Sequence, residues 1–158
     1  MTEPPRFAAD AMLGRLARWL RALGFDTHYD PAIADPVLVG LANAEQRVLL
    51  TRDRLLLRDL RPLHALEVRQ DDPLAQLRDV AQALSLPGPL AMFSRCLLCN
   101  TPLETISEAE AAALLPELRF PLPAPPRRCP SCGRVYWEGS HAKRMRAALE
   151  RVLPGWGG

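Results

Sequence analysis

Four cysteines in two Cys-x-x-Cys pairs, Cys96-Leu97-Leu98-Cys99 and Cys129-Pro130-Ser131-Cys132, constrain this chain more than any other feature. They are all the cysteines it has. Each pair sets two thiols on one tight turn, and two such turns brought together make a four-sulfur tetrahedron. The chain between the pairs must therefore fold back on itself. The expectation is a structural Zn2+, one per chain, held by Cys96, Cys99, Cys129 and Cys132. Four thiolates fill the shell, so this site is a scaffold with no open position for a reactant.

A chain of 158 residues holds one ordinary domain, or a domain of about 100 residues with a small module beside it. A hydrophobic fraction of 48% supports a real core, and 24% charged residues argue against wholesale disorder. No apolar run approaches the ~20 residues that span a bilayer, so no membrane partner is expected. Met1-Thr2-Glu3-Pro4-Pro5-Arg6 lacks the charged-then-apolar pattern of a leader. The chain is read as cytoplasmic, where paired cysteines bind metal more often than they form disulfides. Its net charge of +2 is unevenly spread: residues 127–158 carry seven basic side chains against two acidic ones. Clustered arginines favour phosphate. A nucleic-acid contact and a merely solvated basic helix both account for this tail.

Along the chain, Arg6 to Ala9 is a short apolar strand ending at Asp10. Leu13, Leu16, Leu20 and Leu23 then recur at helical spacing until Gly24, with Arg15, Arg18 and Arg21 outside the stripe. Phe25 to Tyr29 reads as a second strand. Asp35-Pro36 opens a helix to about Gln46, with Asp35 as its cap. Val48 to Thr51 is a buried strand, followed by Arg52-Asp53 and a short helix from Leu55 to Leu60. His64 to Val68 is a further strand, and Asp72-Pro73 opens another helix. Strands alternating with helices predict an α/β fold, a parallel sheet covered on both faces. Pro87-Gly88-Pro89 marks the boundary expected between a domain of residues 1–90 and a cysteine module of residues 91–158. Ser140 to Leu153 is expected to form a basic C-terminal helix.

Asp10 and Asp53 each follow a strand of this parallel sheet, and Asp35 opens the helix after the second strand. Residues just past parallel strands meet along one edge, where open α/β sheets bind ligands. Three converging carboxylates repel unless a cation lies among them, and oxygen-only ligands suit Mg2+ or Mn2+. That chemistry is metal-assisted phosphodiester hydrolysis. Aspartate is also a preferred helix cap, which explains the same three positions without any chemistry. Arg18, Arg21 and Arg52 are candidates for holding a phosphate; a solvated helix face accounts for Arg18 and Arg21 as well. Trp19 either stacks on a base or packs against the cysteine module, and Trp137 is expected in the core between module and domain. His141 can cap or pack, contact phosphate with Arg144, or ligate zinc. His141, Lys143 and Arg144 are expected to approach the acidic edge.

Asp10-Ala-Met-Leu-Gly-Arg-Leu-Ala-Arg-Trp-Leu-Arg-Ala-Leu-Gly-Phe-Asp26 and Leu50-Thr-Arg-Asp53 resemble the Mut-seven C-terminal RNase family. Cys96-Leu-Leu-Cys-Asn100 and Cys129-Pro-Ser-Cys-Gly-Arg-Val-Tyr-Trp-Glu-Gly-Ser-His141 resemble it too, and the likeness spans about residues 6–150. The resemblance implies a PIN-like three-layer α/β/α sandwich joined to a four-cysteine zinc ribbon. It implies a metal-dependent ribonuclease with Asp10, Asp35 and Asp53 as catalytic Mg2+ or Mn2+ ligands. A fourth acid common in PIN nucleases has no clear counterpart here. RNA is the expected partner, contacted by Arg18, Arg52, His141, Lys143 and Arg144. A protein partner is open, and no organic cofactor is expected. The alternative is a non-catalytic RNA- or protein-binding module that keeps the fold. A third class is a structural subunit docking through the proline-rich stretch Pro121 to Pro126.

Overall fold

Residues 3–158 are described by a computed structural model of the chain. Four short strands, β1 (Phe7–Ala9), β2 (Thr27–Tyr29), β3 (Val48–Thr51) and β4 (Ala65–Glu67), form one parallel sheet in the order β2-β1-β3-β4. The helices between them are α1 (Gly14–Ala22), α2 (Asp35–Ala44) and α3 (Arg54–Leu60), with α4 (Pro73–Ala83) after β4. Alternation along each strand sends neighbouring side chains to opposite faces. Phe7, Ala9 and Leu50 join the core under α1 and α4, while Ala8 and Leu49 join a second core under α2 and α3. The expected α/β fold with helices on both faces is what forms.

Several local expectations are corrected. A 3-10 turn, Ala11–Leu13, precedes α1, because the chain must swing from the end of β1 before a regular helix fits. Gly14 sits where a Cβ would come within 2.7 Å of the Tyr29 hydroxyl, which donates to the Ala11 carbonyl at 2.8 Å. The second strand is Thr27–Tyr29; Phe25 and Asp26 lie outside it. Asp35 is not the cap of α2 but its first residue; Ala34 holds the cap position and no side chain accepts from the first N–H groups. Asp72 is a cap, accepting from Ala75 N at 3.0 Å. Arg21, read as lying outside the apolar stripe, is 4% exposed. Trp19 packs against the first core.

The cysteine region is a small antiparallel sheet of β5 (Glu104–Thr105), β6 (Arg127–Arg128) and β7 (Val135–Tyr136), with α5 (Glu108–Leu114) between β5 and β6. A capping box closes the start of α5, with Ser107 and Glu110 bonding reciprocally. α6 (Ser140–Val152) then returns to the main sheet, and Leu149, Leu153 and Trp156 enter the core under α1 and α4. No helix among the described residues is long and apolar enough to cross a membrane.

Candidate metal centres and active site

The two cysteine turns meet. One ligand atom from each of Cys96, Cys99, Cys129 and Cys132 lies within 4.8 Å of all the others. Tetrahedral bonds of about 2.3 Å place sulfurs roughly 3.8 Å apart; the Cys96 and Cys132 Sγ atoms are 3.7 Å apart. Cys99 N donates to Cys96 Sγ at 3.4 Å, and Cys132 N to Cys129 Sγ at 3.5 Å, an arrangement that favours thiolates. Leu97 N donates to the Tyr136 hydroxyl at 3.0 Å, which leaves that hydroxyl to donate to Cys96 Sγ at 3.2 Å. Burial opposes ionisation of Cys96, but Tyr136 and the turn amides outweigh it and bring the thiol down to about 7. Cys99 is pushed up to about 12 by its bond with Cys132 and by burial. Four thiols this close shed their protons together only around a cation, and the donor set fits a zinc ion. His141 is not among these ligands.

The first cysteine turn is clasped to the main sheet by buried polar groups. Arg21 donates to the carbonyls of Leu97 (2.9 Å), Leu98 (3.2 Å) and Thr27 (3.0 Å). Asn100, with φ +66°, accepts from Thr27 N at 3.0 Å and donates to Asp26 at 2.7 Å. Arg95 donates to Gly24 O at 3.1 Å. At Gly24, φ is +92° and a Cβ would stand 2.7 Å from the Ala91 carbonyl oxygen, so glycine lets residues 90–93 bond to the end of α1. All these contacts lie at the start of β2 and the end of α1, the opposite side of the sheet from the ends of β1 and β3.

At those ends the sheet order reverses: β1 connects outward to β2, and the chain then crosses to β3 on the other side. Asp10 and Asp53 follow the two strands that flank this switch point, where a crevice opens in such sheets. Asp10 is 8% exposed and accepts from Thr51 Oγ1 at 2.7 Å through one oxygen. It caps nothing, despite its position. Asp53 is a true cap: its Oδ1 accepts from Leu55 N (2.9 Å) and Leu56 N (3.2 Å). Thr51 Oγ1 also accepts from Asp53 N at 3.0 Å, tying the two acids through one hydroxyl. The Asp35 side chain has no hydrogen bond among the described residues. Its carboxyl is held above the usual range by desolvation and by the charges of Asp10 and Asp53. The three carboxylates therefore share one electrostatic neighbourhood, each with an oxygen free of hydrogen bonds. The three do not form a group whose oxygens all lie within 4.8 Å of one another; among the described residues the four cysteines form such a group.

An exposed apolar side chain follows each of the three aspartates. Met12, Val37 and Leu55, each two residues beyond one of the aspartates, are 78%, 60% and 58% exposed. Arg52 forms an exposed pair with Asp71 at 2.6 Å. The other expected phosphate contacts lie elsewhere. Arg18 and His141 line a cavity beside the cysteine region, and Lys143 and Arg144 are exposed on α6. Among the described residues no hydrogen bond or ion pair joins His141, Lys143 or Arg144 to the three aspartates. Trp137 is not core: it is 41% exposed in the wall of that cavity. Sequence reasoning missed the Thr51 hydroxyl and the Arg21 clasp. A hydroxyl at the end of an apolar strand and an arginine three residues before a glycine were the signals.

Compared with known proteins, residues 5–149 match the family model described as Mut7-C RNAse domain. No curated protein matches the chain, and no solved structure does.

Proposed function

The chain belongs to the Mut7-C RNAse domain family, and from that membership and the carboxylates at its sheet edge we propose a metal-dependent ribonuclease acting on RNA phosphodiester bonds. The observation that carries this reading is the placing of Asp10 and Asp53 at the ends of adjacent parallel strands, with Asp35 close enough that its carboxyl is raised by desolvation and then by the charges of those two. Side chains brought from three separate stretches of sequence oppose one another there, an arrangement that disfavours the protein alone and suits a cation.

Asp10, Asp35 and Asp53 would hold a Mg2+ or Mn2+ ion through their free oxygens. Such an ion supplies charge neutralisation at phosphorus and a water acidic enough to attack it. Thr51 orients Asp10 by donating to one oxygen and leaving the other directed for binding. The cap bonds to Leu55 and Leu56 do the same for Asp53. Arg52 adjoins Asp53, and its pair with 92% exposed Asp71 is weak enough for a phosphate to displace. Met12, Val37 and Leu55 offer apolar surface to the bases on either side of the cut. The four cysteines hold Zn2+ as scaffold, and a reducing cytoplasm suits four thiolates.

The test is cleavage of single-stranded and structured RNA with Mn2+ by wild type, Asp10→Asn and Asp53→Asn. Loss of about 100-fold or more in both variants is expected, the scale on which charge stabilisation at a reaction centre acts. Equal cleavage by all three proteins sinks the acidic site. No cleavage by any, with RNA still bound, favours a binding module that has kept the fold.

A further inference from the structure

Between the cysteine region, α1 and the first turn of α6 opens a cavity of about 290 Å³. That is near the lower bound of small-molecule sites, roughly 300 Å³, and suits a single flat group. Phe93 and Leu98 contribute apolar wall, and Leu98 is 51% exposed. Trp137 leaves 41% of its surface in water, although an indole gains more than most side chains by burial. It is not a loose surface side chain. A Cβ at Gly139 would stand 2.8 Å from the Trp137 Nε1 and 3.1 Å from its Cδ1. The indole therefore lies against the backbone of Gly139, in a space that any other residue would occupy.

The charge around this platform is one-sided. Arg18, Arg134 and His141 line the cavity, and neither arginine has an ion pair among the described residues. Glu138, the acid in the wall, is taken up by Arg146, whose guanidinium also stands over the Phe93 ring at 5.1 Å. α6 begins beside the cavity with no acid in its first turn. An exposed aromatic face flanked by two unpaired arginines is complementary to a base and its phosphate.

We propose that this cavity binds one unpaired nucleotide of a single-stranded RNA, its base stacked on Trp137 and its phosphate on the guanidinium groups of Arg18 and Arg134, with the imidazole of His141 beside them. The inference rests on the reading of the chain as an RNA enzyme and narrows its substrate class. A base inside a duplex has both faces covered by its neighbours, so only a single strand or an unpaired loop presents one to the indole. The cavity takes its lining from the cysteine region, α1 and α6 and none of it from Asp10, Asp35 or Asp53, so a base held there adds a requirement for single strand beyond the bond that is cut.

The experiment is binding of a fluorescent 12-nucleotide oligouridylate, and of an RNA duplex of equal length, to the zinc-loaded full chain without added Mg2+ or Mn2+. Trp137→Ala is expected to weaken single-strand binding by about tenfold or more, the range for loss of one base–aromatic stack. Trp137→Phe should keep most of the affinity. Gly139→Ala, which leaves the indole present but displaced, should lose affinity as Trp137→Ala does. Arg134→Ala should lower the slope of log affinity against log salt by about 0.7. In the wild type the strand should quench tryptophan emission, since Trp19 is half-buried and Trp156 buried. Unchanged affinity in Trp137→Ala with zinc still bound overturns the proposal. So does equal affinity for the duplex, or no binding of the single strand. Because no Mg2+ or Mn2+ is added, these outcomes are independent of cleavage: a failed cavity leaves an Asp10-dependent nuclease standing, and a failed nuclease leaves the binding result standing.

Discussion

Asp53 combines the cap it forms on α3 with the metal-binding role proposed for it, and substitution separates the two. Its Oδ1 caps α3 by accepting from Leu55 and Leu56, while the other oxygen is free. Asparagine keeps a cap and loses the charge; alanine loses both. Asp53→Asn should therefore unfold in urea within a few tenths of a kcal/mol of wild type, and Asp53→Ala should lose about 1 kcal/mol. Both should lose Mn2+-dependent cleavage. Asp35 makes the opposite case, since it has no structural bond to lose. Its folded carboxyl titrates above the unfolded value because desolvation and the charges of Asp10 and Asp53 disfavour ionisation. The folded protein then binds more protons than the unfolded chain, so stability falls as pH rises through that interval and stays lower above it. Asp35→Asn should raise stability at pH 7 by ~0.5 kcal/mol or less, because partly exposed charges are screened. The gain should vanish below about pH 4, where the unfolded carboxyl is protonated too. Denaturation midpoints at the two pH values check the sign.

At the scale of elements, α1 joins the two halves of the molecule. Its apolar stripe fills the core through Leu16 and Leu20, and its last turn carries Arg21 into the cysteine region. A buried guanidinium is tolerated because three carbonyls, of Thr27, Leu97 and Leu98, accept from it. Removing it leaves those carbonyls without a donor, at about 1–3 kcal/mol. Arg21→Met should destabilise by about that much and speed amide exchange in residues 94–100. Arg21→Lys should not restore it, since one ammonium cannot reproduce the planar fork. From sequence this arginine resembled its neighbour Arg18, which is exposed. Helical spacing separates an apolar stripe from the rest of the surface. It does not say which position outside the stripe faces another part of the chain.

At the scale of the whole molecule, the four-cysteine site and the main core are joined. The clasp from Arg21, Asn100 and Arg95 holds one cysteine turn to the sheet, and the second turn leads directly into α6, whose Leu149 sits in the core under α1 and α4. About one zinc per chain is expected by metal analysis. Stripping it with a strong chelator should lower the melting temperature of the entire protein, not only of residues 91–140, because binding to the folded state alone adds to its stability. Calorimetry checks this, and an unchanged main transition on zinc removal would refute the coupling. The strand–helix alternation, both cysteine turns and the three aspartates were legible in the sequence because each is local: a period, a spacing, or a residue at a strand's end. Local pattern could not separate a capping aspartate from a free one. It took the fold to show that Asp53 caps, that Asp10 bonds Thr51 instead, and that the Asp35 carboxyl is raised by desolvation and by the charges of the other two. Nor could it place α6, which read as a basic tail and also sends Leu149 into the core and lines a cavity beside the cysteine region. Covalent order dictates what a segment is able to form; which surfaces it meets depends on contacts between residues far apart in the chain, and those exist only once the whole has folded.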